Sequence, residues 1–357
     1  MRSPVERCAP IWSGSSVADP RAPRMSAVVV CYKDAPAIPL MYQRLSAVFS
    51  ALAVDHEIIF VNDGSPDDTA SILEALTAKD RRVLAIEHSR NFGSQNAFLS
   101  GMEIAMGDAV ILLDGDLQDP PEVIPALYEK WRQGNDVVYG RRSRREMPAL
   151  MSIACKAFYR VFRGVSYIPV PLDAGDFSLM DRRVVDQLLA LPETDQFLRG
   201  LRAWVGFKQT GVDYLRPERA FGRSTHSRFK NLWWAKKAIF SFSFVPIEVL
   251  GYAGATMTIL SFLAVIYQII DCVLHPQVPH GIATVVVLIA FFGSLNLVAI
   301  SVVGEYLIRT FEEVKRRPKF IRKAMWHDGA RLSSAAEIES FVAQKRAARQ
   351  STETGAG

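Results

Sequence analysis

The 357-residue chain has neither of the glycine-rich phosphate loops that mark the commonest nucleotide folds. After its first apolar run comes "CYKDAP", where a dinucleotide site needs GxGxxG, and no GxxxxGK[ST] occurs anywhere. Rossmann dinucleotide binding and P-loop phosphate binding are thereby excluded. Cysteine is scarce. Cys8, Cys31, Cys155 and Cys272 form no CxxC and no metal-ligand spacing, so neither a disulfide framework nor a zinc site is expected. Residues 1–24 lack the apolar core of a secretory leader, and their Pro, Ser and Arg content predicts a disordered lead. Internal repeats are also missing. The segment "DCVLHPQVPH", residues 271–280, contains no Lys or Arg, and that local absence orients everything around it.

It separates two apolar stretches, 247–270 and 281–308, each long enough to cross a hydrocarbon core of about 30 Å, which takes roughly 20 helical residues. Neither stretch has a polar face, which argues against core helices. Basic residues crowd their far ends: Arg228, Lys230, Lys236 and Lys237 before the first, then Arg309, Lys315, Arg316, Arg317, Lys319, Arg322 and Lys323 after the second. The positive-inside rule puts both ends in the cytoplasm and the linker outside, which leaves 309–357 as a basic cytoplasmic tail. The net charge of +5 is largely this belt, so its partner is an anionic lipid surface and not nucleic acid. "RFKNLWWAKKAIFSFSFVPIE" mixes Trp233, Trp234 and several Phe with Lys236 and Lys237, and predicts an interfacial amphipathic helix over 227–246.

Over 25–226 the pattern is that of a soluble domain. The apolar runs "AVVVCY", "EIIFVN", "RVLAIEH", "DAVILLD" and "DVVYGRR" alternate with helical periods, which predicts an α/β fold with a mainly parallel sheet and helices on both faces. Such sheets bind ligands at the carboxyl ends of their strands. Four of those ends are polar: Lys33-Asp34, Asn62-Asp63-Gly64-Ser65, Asp114 to Gln118, and Gly140-Arg141-Arg142. The stretch "ILLDGDLQDPPE" brings three aspartates and a glutamine to one point, where Gly115 is expected to let Asp116 swing back beside Asp114. Carboxylates that close repel unless a cation lies between them. Asp114 and Asp116 suit Mg²⁺ or Mn²⁺ bridging to substrate phosphates. Asp34 and Asp63 suit ribose hydroxyls or a base edge, because a carboxylate accepts two hydrogen bonds.

Taken in order, "VVVCYKDAPAIP", "EIIFVNDGSPDDT", "SRNFGSQNAFLSGMEIAMGDAVILLDGDLQDPPE", "DVVYGRRSRRE" and "GDFSLMDRRVVD" resemble the inverting family 2 glycosyltransferases. With "GEYLIRTFEEVKRRPKFI" after two spans, the resemblance extends over about residues 26–323 and is closest to the polyprenyl-phosphate (bactoprenol) branch, related to dolichol-phosphate mannose synthase. It implies a GT-A nucleotide-sugar fold followed by two transmembrane helices, a UDP-sugar donor and a polyprenyl phosphate acceptor such as undecaprenyl phosphate. A bacterial inner-membrane, multi-pass enzyme is implied, with its catalytic domain facing the cytoplasm and a homo-oligomeric state, a tetramer being the candidate. Glucose is the favoured sugar. Asp34 and Asp63 match nucleoside positions, Asp114, Asp116 and Gln118 the metal and diphosphate motif, and Arg141 a basic residue near the phosphates. Arg219 matches the arginine of an "R..G.SK" stretch on the acceptor side. There "GRSTH" replaces the usual "G.SKY", so Arg223 or Arg228 is expected to supply the missing charge. The first motif also departs, with Lys33-Asp34 where Asn-Glu is usual.

The chemistry fits those assignments. Departing UDP carries about two negative charges, which a divalent ion neutralises as a Lewis acid. A lipid monophosphate has a second pKa near 6 and is already anionic at pH 7, so a strong general base is unnecessary. Asp176 in "AGDF" is the candidate for a base, or for positioning the acceptor or sugar. A processive polysaccharide synthase would carry QxxRW and more spans, whereas "FLRGLRAW" lacks that motif. A non-catalytic scaffold would be expected to lose Asp114 or Asp116.

Overall fold

The computed structural model describes residues 23–142, 174–194, 196–217, 245–274 and 282–354. Nine strands form one sheet in the order β7-β5-β6-β4-β1-β2-β3-β8-β9. Its centre is the expected alternation: β1 (Met25–Cys31), α1 (Ile38–Leu52), β2 (His56–Asn62), α2 (Thr69–Lys79), β3 (Val83–His88), α3 (Ser94–Ile104), β4 (Ala109–Asp114), α4 (Ile124–Arg132) and β5 (Val137–Arg142). β1 pairs in parallel with both β2 and β4, and β2 with β3. Strands buried on both faces read as continuous apolar runs. In β1, Val28 and Val30 pack into one core layer while Ala27, Val29 and Cys31 pack into the other, so one strand serves two helix layers.

β6 (Ala174–Asp181) runs against β4 and β5, and β7 (Gln209–Tyr214) lies parallel to β5 at one edge. Between β6 and β7 stand α5 (Arg182–Ala190) and α6 (Leu198–Trp204). Because β6 is reversed, its first residues meet the carboxyl ends of its neighbours, and Asp176 thus lies on a strand at the functional edge.

Two long helices follow, α7 (Val245–Leu274) and α8 (Ile282–Lys315). At 1.5 Å per residue they are about 45 and 51 Å long, more than a hydrocarbon core needs. Their most apolar windows, Ile247–Ala264 and Phe291–Lys315, have none of their residues buried inside the protein. Both helices outrun the expected spans, α7 continuing to Leu274 and α8 to Lys315. Most of the lead, most of the interfacial segment and most of the linker lie outside the described residues.

The expected basic tail is instead a folded part of the catalytic domain. β8 (Arg322–His327) pairs antiparallel with β3, β9 (Ala330–Leu332) closes that edge, and α9 (Ala335–Thr354) docks behind them. Ala324, Met325 and Trp326 are buried consecutively, as a strand covered on both faces requires. Ser334 and Glu337 form a reciprocal capping box at the start of α9. Ile338 and Val342 enter the core, while Arg346 pairs with Glu103 and Arg349 with Asp186. The chain thus returns from α8 into the sheet.

Candidate active site

The carboxyl ends of β1, β2, β4 and β5 converge with the first residues of β6. The β4–β6 register pairs Ile111 with Leu179 and Leu112 with Ser178. Two residues further along, that register sets Asp114 across from Asp176. Gly115 and Asp116 form the turn that follows β4. The place of Gly115 is one of close approach: a Cβ there would lie 2.9 Å from both the Val30 carbonyl oxygen and Cys31 Sγ. Leu117 continues the bend after this turn, at φ +61° with its side chain in the core. A non-glycine residue in that region costs roughly 1–3 kcal/mol, and burial of the leucine offsets it. Asp116 is buried, and its Oδ1 accepts from the Gln118 backbone N–H at 3.1 Å. Gln118 Nε2 donates to the Pro217 carbonyl oxygen at 3.4 Å.

The β1 and β2 ends are tied together. Lys33, at φ +62°, donates its N–H to Ser65 Oγ at 2.8 Å, and Ala35 N–H reaches Asp67 Oδ2 at 3.1 Å. Asp34 caps the short turn that follows, accepting from Tyr32 N–H at 3.2 Å. Asp63 is fully buried and holds the next loop: it accepts from Phe92 and Gly93 N–H at 2.9 and 2.8 Å, and His88 Nδ1 lies 2.9 Å away. The structure thus adds an organising task to Asp63.

Asp119, the third aspartate of the strand-end stretch, stands here too, together with Gln95, Arg199, Arg202, Tyr214 and Arg216, which the sequence did not single out. Asp119 is buried, accepts from the Tyr214 hydroxyl, and has Arg216 Nε at 3.8 Å. Burial raises its pKa against the pull of Arg216 and Tyr214. Asp114 is pushed well above the usual carboxylate range, first by burial and then by Asp119, Asp116 and Asp176, with Arg216 opposing. Asp176 accepts from Gln95 Nε2 at 3.0 Å on one oxygen, and Arg199 Nε faces the other at 3.3 Å as an ion pair. Gln95 is fixed from its far side, because its Oε1 accepts from Leu198 N–H at 2.9 Å. Arg202 lies behind, brought down to about 10 by burial while Asp176 opposes. Cys31, buried beside these carboxylates, stays a thiol, since burial and the acids raise its pKa.

Alternation along β5 decides between its two arginines. Arg141 faces Asp213 on β7 and pairs with it through two hydrogen bonds, both side chains being about half exposed. Arg142 points the other way, among the acids. Burial works against its charge, but Asp119 and Tyr214 hold its pKa up. The structure therefore brings Arg142, and not Arg141, to the carboxylates. The period of two was legible in "VVYGRR". Arg219, Arg223 and Arg228 lie outside the described residues.

Among the described residues no three carboxylates, imidazoles or thiols converge into a complete metal cage. The donor set still suits a hard divalent cation, which takes one or two carboxylates and completes its shell with water and substrate phosphate.

The family model described as glycosyl transferase family 2 matches residues 26–189. An uncharacterised glycosyltransferase of Synechocystis is 40% identical over 305 residues, 85% of this chain and 95% of the relative. The chain belongs to glycosyl transferase family 2. Within the family, a prophage-derived bactoprenol glucosyl transferase of Shigella flexneri is 39% identical over 84% of this chain and 97% of its own length. A prophage bactoprenol glucosyl transferase homolog of Escherichia coli is 37% identical over 84% and 98%. The protein is a glycosyltransferase built on a mixed β-sheet with helices on both faces, and it carries two candidate membrane helices.

Proposed function

We propose that this family 2 glycosyltransferase transfers a sugar, glucose by preference, from a UDP-sugar to a polyprenyl phosphate, with inversion at the anomeric carbon. One observation carries the reading: Asp114, Asp116, Asp119 and Asp176, interleaved with Arg142, Arg199, Arg202 and Arg216, close one sheet edge of a chain whose two long helices leave their apolar surfaces uncovered. Relatives named bactoprenol glucosyl transferases support the lipid acceptor. Asp34 and Asp63 hold the nucleoside. Asp114 and Asp116, with Gln118, hold a Mg²⁺ or Mn²⁺ ion, which when bound neutralises the departing diphosphate. Arg142 donates charge-assisted hydrogen bonds to phosphate oxygens.

The acceptor phosphate is its own nucleophile, because its second pKa near 6 leaves it anionic at pH 7. Arg219, Arg223 and Arg228 draw it in. Asp176, with Gln95 and Arg199 on its two oxygens, positions the acceptor or the sugar. A long isoprenoid leaves the bilayer only at about 0.8 kcal/mol per CH₂, so the site works at the membrane surface. By the positive-inside rule that surface is the cytoplasmic face of the bacterial inner membrane.

Arg142→Ala is expected to lower kcat/KM roughly 10- to 100-fold, the worth of one hydrogen bond to a charged group. Arg141→Ala removes a half-exposed pair with Asp213 and should stay near the wild-type rate. Equal losses from both would contradict the placement of Arg142. The function itself is tested by giving purified enzyme undecaprenyl phosphate and a panel of UDP- and GDP-sugars. A UDP-sugar should be consumed, with the product's anomeric configuration inverted by NMR. Turnover of GDP-sugars alone, or retention, contradicts the proposal.

A further inference from the structure

Where α8 leaves its apolar span, its end packs on the loop that joins α5 to α6. Thr194 donates its N–H to both Glu313 oxygens at 2.8 and 3.0 Å and its hydroxyl to one of them at 3.0 Å. Lys319 Nζ donates to the Leu191 carbonyl oxygen at 2.8 Å. Between these walls lies a cavity of about 370 Å³ lined by Pro192, Thr194, Glu313, Arg316, Arg317 and Lys319.

Three cations and one carboxylate line that space. Acids also face these cations: Glu193 and Glu313 act on Lys319 and Glu312 on Arg317, while Glu312 pairs with Lys315 and Glu313 accepts from Thr194. Arg316 ends the helix in the left-handed region, at φ +47°, a costly conformation for arginine that places Arg316 and Arg317 beside the cavity. Burial lowers the pKa of Lys319, with Glu193 and Glu313 opposing. A phosphate group suits the lining of three cations and one carboxylate, because its anionic oxygens can be shared by several basic side chains.

The same loop leads to the active site. Five residues past Thr194, Arg199 pairs with Asp176, and Leu198 N–H holds Gln95, which holds Asp176 in turn. We propose that this cradle binds one membrane phosphate headgroup and that its occupancy fixes the strap carrying Arg199 to Asp176. The site is separate from the sheet-edge carboxylates and adds a membrane signal to whatever reaction they perform. Its ligand class is an organic phosphate anchored in the bilayer, either a phosphodiester such as phosphatidylglycerol or a polyprenyl phosphomonoester.

The test uses the full-length protein in nanodiscs of phosphatidylcholine, with or without phosphatidylglycerol. Retained lipid is read by native mass spectrometry and, separately, glycosyl transfer is timed. Wild type should retain phosphatidylglycerol preferentially and turn over faster with it. The double variant Arg316→Ala/Arg317→Ala should retain it roughly 30-fold less, at about five-fold for each basic residue lost at a membrane surface. It should lose the acceleration and keep its basal rate in phosphatidylcholine. Glu313→Ala splits the two halves of the proposal: retention should hold or rise, because an acid is removed, while the acceleration disappears with the strap contacts. Added undecaprenyl phosphate identifies the occupant, since displacement of phosphatidylglycerol assigns the cradle to the monoester and no displacement assigns it to the diester. Equal retention by wild type and the double variant overturns the site, and full acceleration in Glu313→Ala overturns the coupling. The binding arm needs no turnover, so it stays decisive even if the sugar-transfer reading fails.

Discussion

Asp116→Asn is expected to leave the fold intact and to lower kcat by about 10²–10³, the usual loss for one preorganised charge contact at a reacting centre. The amide matches the carboxylate in shape but cannot neutralise a divalent cation. It also removes one of the like charges that raise Asp114, so the Asp114 pKa should fall in the variant. In the wild type, Asp114 must give up its raised affinity for protons before it can ligate a cation. Apparent affinity for Mg²⁺ or Mn²⁺ should therefore weaken as pH falls toward the raised Asp114 value, and the variant should shift that dependence to lower pH. Steady-state rates against metal concentration at several pH values check both statements. Near-normal turnover by Asp116→Asn, or full activity in EDTA, contradicts the cation assignment.

Trp326→Ala is expected to cost about 3–5 kcal/mol, the range for emptying a large buried aromatic site. That is a large share of the 5–15 kcal/mol by which a domain is stable. Trp326 is 2% exposed and sits on β8, the strand that covers the β3 edge. Just before it, Phe320 stacks on His88 with ring centroids 5.5 Å apart, and His88 is the imidazole beside Asp63. Loss of this segment would therefore loosen the nucleoside loop as well as the sheet. A stop codon after Lys319 should give insoluble or protease-sensitive protein, with the β3 edge and the Asp63 hub uncovered. Denaturant unfolding of Trp326→Ala in detergent checks the first figure. A soluble, stable truncation with wild-type activity would show that residues 320–357 are dispensable to the domain.

The first half of the fold was legible because each strand from β1 to β5 is a continuous apolar run ending at polar residues, and each helix has its own period. The two long apolar helices were legible from length and composition alone. β8 was not, since "RKAMWH" is short and lies in a basic stretch, where charge pattern dominates the reading. The capping box at Ser334 and Glu337 was a usable signal for α9 that charge counting obscured. At the site, Asp114 and Asp116 were legible because strand end and motif coincide. Asp119, Tyr214 and Arg216 meet across about 95 residues of sequence, a proximity only the sheet register supplies. Arg142 was within reach through alternation. Gln95 was not, because a glutamine at the start of a helix carries no local mark of the aspartate it holds across the sheet edge.

The central claim is that carboxylates at the sheet edge hold a metal-bound nucleotide sugar for attack by a phosphate that never leaves the membrane. Purified full-length protein in detergent, given radiolabelled UDP-glucose, Mg²⁺ and undecaprenyl phosphate, tests it most directly. Label should move into the organic phase as a phosphate-linked lipid sugar, at a rate that depends on the lipid phosphate and stops with EDTA. Label that stays in water, or transfer to a soluble sugar acceptor at the same rate without the lipid, would contradict the account.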